Sequence, residues 1–146
     1  MLHFEGERAF SLPPAALWEK LRNAAFLAEC IPDSANKGEP TRDRAERSVQ
    51  PGFSFVRGSL DVTLEIVEGQ SPGTLKFKLL SKGIGSSSEV ETSLQIHPAE
   101  TGSKVAWSAD VKNLGGLLKM VPAGLVKGAA QRVIDDVWNG VCAKLA

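Results

Sequence analysis

Near its C-terminus the chain reads AAQRVIDDVWNGVCAKL over residues 129–145, and this stretch decides the fold. Its apolar residues recur at every third or fourth position, a spacing that places side chains on one face of an α-helix. The members of this apolar face are Ala130, Val133, Ile134, Val137, Trp138, Val141 and Leu145. The pattern predicts an amphipathic helix of about five turns, and this helix must cover an apolar surface elsewhere in the chain.

The segment before this helix carries features that interrupt helical structure. Pro122 lies inside the apolar stretch 117–126, where a proline removes a backbone donor and breaks or kinks a helix. We therefore expect a short leading turn ahead of the long helix. Gly124 and Gly128 are four residues apart, and their lack of side chains predicts either a close approach to the sheet or room for a ligand.

Upstream of the helix, four segments alternate apolar and polar residues with a period of two. This alternation is typical of β-strands with one buried and one solvated face. Their apolar faces are Leu60, Val62, Leu64 and Ile66; Leu75, Phe77 and Leu79; Val90, Thr92, Leu94 and Ile96; and Val105, Trp107, Ala109 and Val111. Short connections rich in turn-forming residues predict an antiparallel meander. Pro51-Gly52 predicts a bend or bulge before the first of these strands, and residues 83–88 predict a turn.

The N-terminal part of the chain adds one strand and two short helices. Residues 2–11 alternate with a period close to two and predict a strand. A first helix should then open at Ser11 or Leu12, before the two prolines, and continue to Leu21, because proline is tolerated in the first turn of a helix. Asn23 is a suitable N-cap for a second helix over residues 24–30.

Residues 34–47 contain a mixed charge run, which predicts one exposed strand or a hairpin with solvated side chains. Taken together, these elements predict an α+β fold. In this fold a curved antiparallel β-sheet wraps around a long C-terminal α-helix, with two short helices after the first strand.

Composition narrows the classes of function. The chain has 146 residues, 42% hydrophobic and 23% charged, which fits one globular domain over residues 1–146. Lysine plus arginine and aspartate plus glutamate both number 17, so no net positive field favours nucleic acid. No apolar run reaches the roughly 20 residues of a membrane span, and the N-terminus lacks a signal-peptide pattern. We therefore expect a cytoplasmic protein without a transmembrane segment.

Residues that could carry chemistry are few. His3 and His97 fall on the polar faces of their strands and are expected at the surface. Cys30 is expected near the mouth of a pocket, as a buried and unreactive thiol. The spacing of Cys30 and Cys142 matches no metal site, and neither a metal nor a cofactor is expected. No pair of nucleophile and base is visible, so the sequence favours a protein that is not an enzyme.

Several short motifs give the chain a family resemblance. They are Phe4-Glu5-Gly6, Leu12-Pro13-Pro14, Leu17-Trp18, Phe26-Leu27-Ala28-Glu29-Cys30-Ile31-Pro32, Val56-Arg57-Gly58, Val105-Ala106-Trp107 and Leu114-Gly115-Gly116. With these motifs and this order of elements, the chain resembles the carbon monoxide dehydrogenase G-subunit (CoxG-like) family of the START-like, Bet v 1-like (SRPBCC) superfamily. The resemblance implies the helix-grip fold. The family commonly has a glycine after the Ile-Pro pair, where this sequence has Asp33.

The resemblance also implies a function. It implies a small accessory protein of molybdenum hydroxylase systems that binds an apolar, lipid- or quinone-like molecule between the sheet and the C-terminal helix. The side chains expected to line this hydrophobic cavity are Phe26, Phe53, Phe55, Leu60, Val62, Leu64, Phe77, Leu79, Leu94, Trp107, Met120, Val126, Val133 and Val137. A location at the periphery of the membrane and a homodimer stay open.

Two other functions stay open. One is an enzyme similar to the polyketide cyclases and dehydrases of the superfamily, which would need a polar group inside the cavity. The candidates for such a group are Arg8, Ser48, Ser88 and Thr92. The other is an interaction module, which would expose an apolar patch to a stable partner.

Overall fold

The computed structural model describes residues 2–31, 34–49, 60–70, 73–83 and 85–145. A 3-10 turn over Leu117–Met120 precedes the last helix. In chain order, the strands and α-helices are β1 (Leu2–Phe10), α1 (Pro14–Leu21), α2 (Ala24–Glu29), β2 (Ser34–Lys37), β3 (Arg44–Val49), β4 (Leu60–Gln70), β5 (Thr74–Gly83), β6 (Ser86–Ala99), β7 (Gly102–Gly116) and α3 (Ala123–Leu145).

The strands form one antiparallel sheet in the order β1-β7-β6-β5-β4-β3-β2. From β2 to β7 each strand pairs with the next one in the chain, which confirms the predicted meander. Strand β1 instead pairs with β7 and so brings the N-terminal strand beside the last one. The curved sheet with α3 as its cover is the predicted α+β helix-grip architecture.

The two short helices follow β1 as predicted. Pro14 stands in the first turn of α1, and Leu17 and Leu21 of that helix are fully buried. Asn23 caps α2, because its side-chain oxygen accepts a hydrogen bond of 3.0 Å from the backbone N–H of Ala25. The cap satisfies a donor that would otherwise lack a partner at the start of the helix.

Helix α3 begins at Ala123, directly after Pro122, and the 3-10 turn before it is the predicted leading turn. Its apolar face meets the sheet through Trp138. The ring centroid of Trp138 lies 5.9 Å from that of Trp107 on β7 and 6.3 Å from that of Phe10 on β1. Aromatic rings at such separations bury a large area and also attract one another through their ring charge distributions. The contact joins α3 to both neighbouring strands.

A glycine on β1, Gly6, lies against the indole ring of Trp107 on β7. Gly6 lies directly opposite Trp107 in the β1–β7 pair, and the indole ring lies over it. A Cβ atom at Gly6 would stand only 2.8 Å from Cζ2 of Trp107, so any side chain here would displace the ring. The absence of a side chain on β1 therefore positions the tryptophan that contacts α3.

Of the two alternatives predicted for Gly124 and Gly128, the close approach to the sheet is wrong. A Cβ atom added at either position would meet nothing within 4 Å, and both residues are exposed. Close packing occurs instead at Gly140, where a Cβ atom would stand 3.0 Å from the carbonyl oxygen of Cys30. Gly124 and Gly128 therefore lie on the exposed face at the start of α3, whereas Val126 between them is buried and Gly140 packs against the end of α2.

The structure decides two loop predictions. Within residues 34–47 the chain forms the β2–β3 hairpin, one of the two arrangements expected. The turn predicted over residues 83–88 is too long, because β6 already begins at Ser86 and pairs with β5 from there. Cross-strand pairing has overridden the turn preference of the serines. The bend predicted at Pro51-Gly52 lies outside the described residues.

Truncation of Leu17 should destabilise the fold strongly. Replacement by alanine leaves a cavity under α1, and we expect Leu17→Ala to lower the free energy of unfolding by about 2–5 kcal/mol. Urea denaturation followed by circular dichroism measures the change. The control is Leu125→Ala, at a helix position that is 55% exposed, which should change stability by less than about 0.5 kcal/mol. Equal losses in the two variants would contradict this account of the core.

Candidate ligand-binding cavity

A cavity of about 250 Å³ lies between the concave face of the sheet and α3. It is somewhat smaller than the pockets of roughly 300–1,000 Å³ that usually hold drug-sized ligands. Its described lining from the sheet is Val49, Leu60, Val62, Phe77, Leu79, Ser81, Ser88, Val90, Thr92, Leu94, Trp107, Ala109, Val111 and Leu114. The helices contribute Val126, Ala129, Ala130, Val133, Ile134, Val137, Trp138 and Val141 from α3, with Leu27 and Ile31 at the end of α2.

Strand register explains how these side chains meet. Residues directly opposite one another on β4 to β7 project to the same face and form rows across the sheet. One row consists of Val62, Ser81, Ser88 and Leu114. Another row contains Ile66, Phe77, Thr92 and Ala109. Small side chains such as Ala109 and, on α3, Ala129 and Ala130 leave the space that the cavity occupies.

Nine of the residues expected from sequence line this cavity. They are Leu60, Val62, Phe77, Leu79, Leu94, Trp107, Val126, Val133 and Val137. All nine belong to a strand face of period two or to the helical face of α3, the two patterns that sequence reads most directly.

Of the other five expected residues, the three that the structure describes do not line it. Met120 is 81% exposed at the end of the 3-10 turn, because the chain turns outward there before α3 begins. Leu64 is only 1% exposed and belongs to the packed core, which leaves no space beside it. Phe26 is half-buried on α2 and packs against that core without reaching the cavity. Phe53 and Phe55 lie outside the described residues.

Three hydroxyl groups interrupt the apolar lining. Thr92 is only 7% exposed, and Ser81 and Ser88 are half-buried partners in a side-chain hydrogen bond. Of the polar candidates from sequence, Ser88 and Thr92 therefore do line the cavity, whereas Ser48 does not and Arg8 donates to Asn139 on α3 instead. Ser81 could have been found by extending the alternation Leu75, Phe77, Leu79 by two residues. The described part of the lining contains no carboxylate, imidazole, amine or guanidinium.

The indole nitrogen of Trp107 is buried and has no hydrogen-bond partner among the described residues. This nitrogen lies over β1, since a Cβ atom at Gly6 would stand 3.1 Å from it. A buried donor without a partner carries a cost in free energy. The position of Trp107 is thus maintained by ring packing rather than by a hydrogen bond.

A surface depression of about 500 Å³ adjoins the cavity at the start of α3. Val111, Leu114 and Val126 line both spaces and therefore form the boundary between them. Met120 and Leu125, exposed by 81% and 55%, lie beside the depression in the chain. The depression provides a candidate entrance to the cavity.

The remaining chemistry-bearing residues lie away from the cavity. His3 and His97 are exposed as predicted, and hydrogen bonds to Asp110 and Glu5 raise the pKa of His3. Among the residues that the structure describes, no cluster of three or more potential metal ligands occurs. Within the same part of the chain, no helix has the length and hydropathy to cross a bilayer.

Cys30 is buried as predicted, but it does not contribute to the described lining of the cavity. Its thiol donates a weak hydrogen bond of 3.4 Å to the carbonyl oxygen of Phe26. Burial, which disfavours the charged thiolate, raises the pKa of Cys30 to about 11. The thiol is therefore neutral at physiological pH and a poor nucleophile.

Alkylation rates should reveal this pKa. A rise from about 9 to about 11 lowers the thiolate population at pH 8 roughly a hundredfold, and the rate should climb as the pH approaches 11. We expect iodoacetamide to modify Cys30 at least that much more slowly in the folded protein than in guanidinium chloride, as measured by peptide mass spectrometry. Similar rates in the folded and unfolded chain would contradict the assignment.

Comparison with known proteins finds one family and many similar folds. The sequence profile of the carbon monoxide dehydrogenase G-subunit (CoxG) family matches residues 6–146. No match was found among curated proteins.

Three solved structures illustrate the similarity of fold. A conserved protein from Geobacillus kaustophilus superposes with a TM-score of 0.84 at 18% identity, covering 99% of this chain and 95% of that chain. A START superfamily protein from Mycobacterium smegmatis gives 0.67 at 10% identity, with coverages of 98% and 96%. The AHSA1 protein from Silicibacter pomeroyi gives 0.66 at 12% identity, with coverages of 99% and 97%. The fold is thus START-like and Bet v 1-like.

Proposed function

Since the chain belongs to the carbon monoxide dehydrogenase G-subunit (CoxG) family, we propose that it binds a small apolar molecule in the cavity between its sheet and α3. The observation that carries this proposal is the nearly continuous apolar lining, which five strands and α3 contribute together with the end of α2. Burial drives such binding, since each buried methylene contributes about 0.8 kcal/mol. An apolar molecule of modest size can then reach micromolar affinity without a charged anchor.

The proposal extends to a partner. The family name refers to carbon monoxide dehydrogenase, and we propose that the protein serves a molybdenum hydroxylase in the cytoplasm or at the periphery of the membrane. Met120 and Leu125 are exposed apolar residues, and their neighbours in the chain, Lys119, Val121 and Val126, line the candidate entrance. A partner that covers this surface would receive or deliver the ligand without exposing it to water.

A second candidate function is an enzyme similar to polyketide cyclases. The hydroxyls of Ser81, Ser88 and Thr92 favour it, because hydroxyl groups could orient a reactive chain inside the cavity. Acid–base chemistry would additionally need a titrating group within reach of the substrate. Conversion of a polyketide substrate by the purified protein, followed by mass spectrometry, would support the enzyme over the binding protein.

Filling the cavity should abolish binding. Val133 lines the cavity from α3, and the larger side chain in Val133→Phe would occupy space that the ligand needs. We expect at least about a tenfold weaker affinity for a naphthyl probe by isothermal titration calorimetry, where tenfold corresponds to about 1.4 kcal/mol.

The matched control is Val67→Phe, which makes the same enlargement at an exposed position on β4 that lines neither the cavity nor the depression. This variant should bind the probe as the wild type does. If both variants bind normally, or if wild-type protein purified from its host carries no small molecule and binds no apolar probe, the proposed function is wrong.

The partner surface can be tested by affinity capture. From lysate of the native host, the wild-type protein should retain a molybdenum hydroxylase, detected by molybdenum content and protein mass spectrometry. The double variant Met120→Ser, Leu125→Ser should retain at least about fivefold less, and Val67→Ser, which alters an exposed apolar residue on β4, should behave as the wild type. Concentration-dependent self-association that the double variant abolishes would instead assign this surface to a homodimer.

A further inference from the structure

The hydroxyl groups of the cavity are unevenly distributed. Ser81 on β5 and Ser88 on β6 stand directly opposite one another, and their side-chain oxygens share a hydrogen bond. Their row continues to Val62 on one side and to Leu114 on the other. Two hydroxyls therefore form one polar spot in a row whose other members are apolar.

The hydroxyl groups of Ser81 and Ser88 cannot satisfy all of their hydrogen-bonding capacity with each other. Each serine has one O–H donor and two acceptor lone pairs, so one O–H serves the mutual bond and the other O–H still needs an acceptor. No other hydrogen bond of these two side chains occurs among the described residues. The pair therefore presents one hydrogen-bond donor in a row of the lining that is otherwise apolar, where an unmade hydrogen bond is costly.

The position of the pair also orients a ligand. Leu114, in the same row, lines the surface depression as well as the cavity, which puts the serines at the entrance end. Trp107 and Trp138 stack on one another farther along the cavity, and Leu94 lies opposite Trp107. An elongated ligand would gain the most binding free energy by burying its apolar part against the tryptophans and leaving its polar atom near the entrance.

We propose that the ligand carries an uncharged hydrogen-bond-accepting oxygen, such as a carbonyl oxygen, and that Ser81 and Ser88 bind it at the entrance end of the cavity. This inference rests on the proposed ligand-binding function and specifies the chemistry of the ligand. A charged head group fits poorly inside the cavity, because the described lining there offers it hydroxyls but no opposite charge, and the two lysines nearby, Lys112 and Lys119, line the surface depression outside it.

Thr92 is the competing site. Thr92 lies four positions from Ser88 on β6, which is about 13 Å along the strand. It lines the cavity in the row between Phe77 and Ala109. A ligand oxygen cannot contact Thr92 and the serine pair at once. The two sites can therefore be separated by mutation.

The test uses two probes of matched shape, 2-acetylnaphthalene and 2-isopropenylnaphthalene, which differ in a carbonyl oxygen against a methylene group. Calorimetry gives the dissociation constant of each probe for the wild type and for Ser81→Ala, Ser88→Ala. We expect the double variant to bind the ketone about three- to tenfold more weakly, the range expected for one hydrogen bond. It should bind the hydrocarbon equally well or more tightly, which also shows that the cavity is intact.

The matched control is Ser93→Ala, Ser108→Ala. These two serines also stand opposite one another, on β6 and β7, but neither lines the cavity. The control should bind both probes as the wild type does.

Three results would overturn the inference. If the ratio of the two dissociation constants is the same in the wild type and in the serine variant, the serine pair does not bind the ligand's oxygen. The proposed binding function would still stand. A ratio changed by Thr92→Val and not by the serine variant would assign the oxygen to Thr92. Failure of the wild type to bind either probe would count against the proposed function itself, and the inference would fall with it.

Discussion

The contact between Trp138 of α3 and the rings of Trp107 and Phe10 is the interaction on which the rest of the structure depends. A long amphipathic helix and a one-sided sheet each expose an apolar face that is unstable in water, so each requires the other. The aromatic contact is one place where the helix and the sheet meet directly. The cavity occupies space that the two surfaces leave unfilled, and α3 lines it from Val126 to Val141.

The cavity follows from a mismatch of volumes. The facing surfaces combine large residues such as Phe77 with alanines such as Ala109, Ala129 and Ala130, and their side chains do not fill the space between the layers. A protein interior is normally packed as densely as an organic crystal. The space left here therefore costs stability in the free protein, and this cost is recovered when an apolar molecule fills it.

Much of this structure is accessible from sequence, for a definite reason. Periods of two and 3.6 residues identify which side chains share a face, and they identify the strands from β4 to β7, the long helix and nine residues of the cavity. The N-cap at Asn23 is also readable, since its chemistry is local. Sequence cannot distinguish Leu64, which fills the core, from Leu79, which lines the cavity, because both stand on the same kind of strand face.

The sequence-based predictions that the structure corrects also share a cause. The family resemblance suggests the interior for Met120, and the four-residue spacing suggests a place near the sheet for Gly124 and Gly128, but their surroundings depend on the direction in which the chain leaves β7. The residues at Ser86 to Ser88 have turn-forming chemistry, yet pairing with β5 extends the strand through them. In each case a contact distant in sequence decides the outcome, and single-residue preferences do not contain it.

Gly6 shows how the size of the cavity can be controlled from outside it. It lies on β1, which contributes no described residue to the lining, yet it determines how far the Trp107 indole withdraws from the interior. Exchange of this glycine for a residue with a side chain would push an aromatic ring toward α3 and shrink the space available. Related proteins could in this way diverge in the size of molecule they accept while every residue that touches the molecule stays the same.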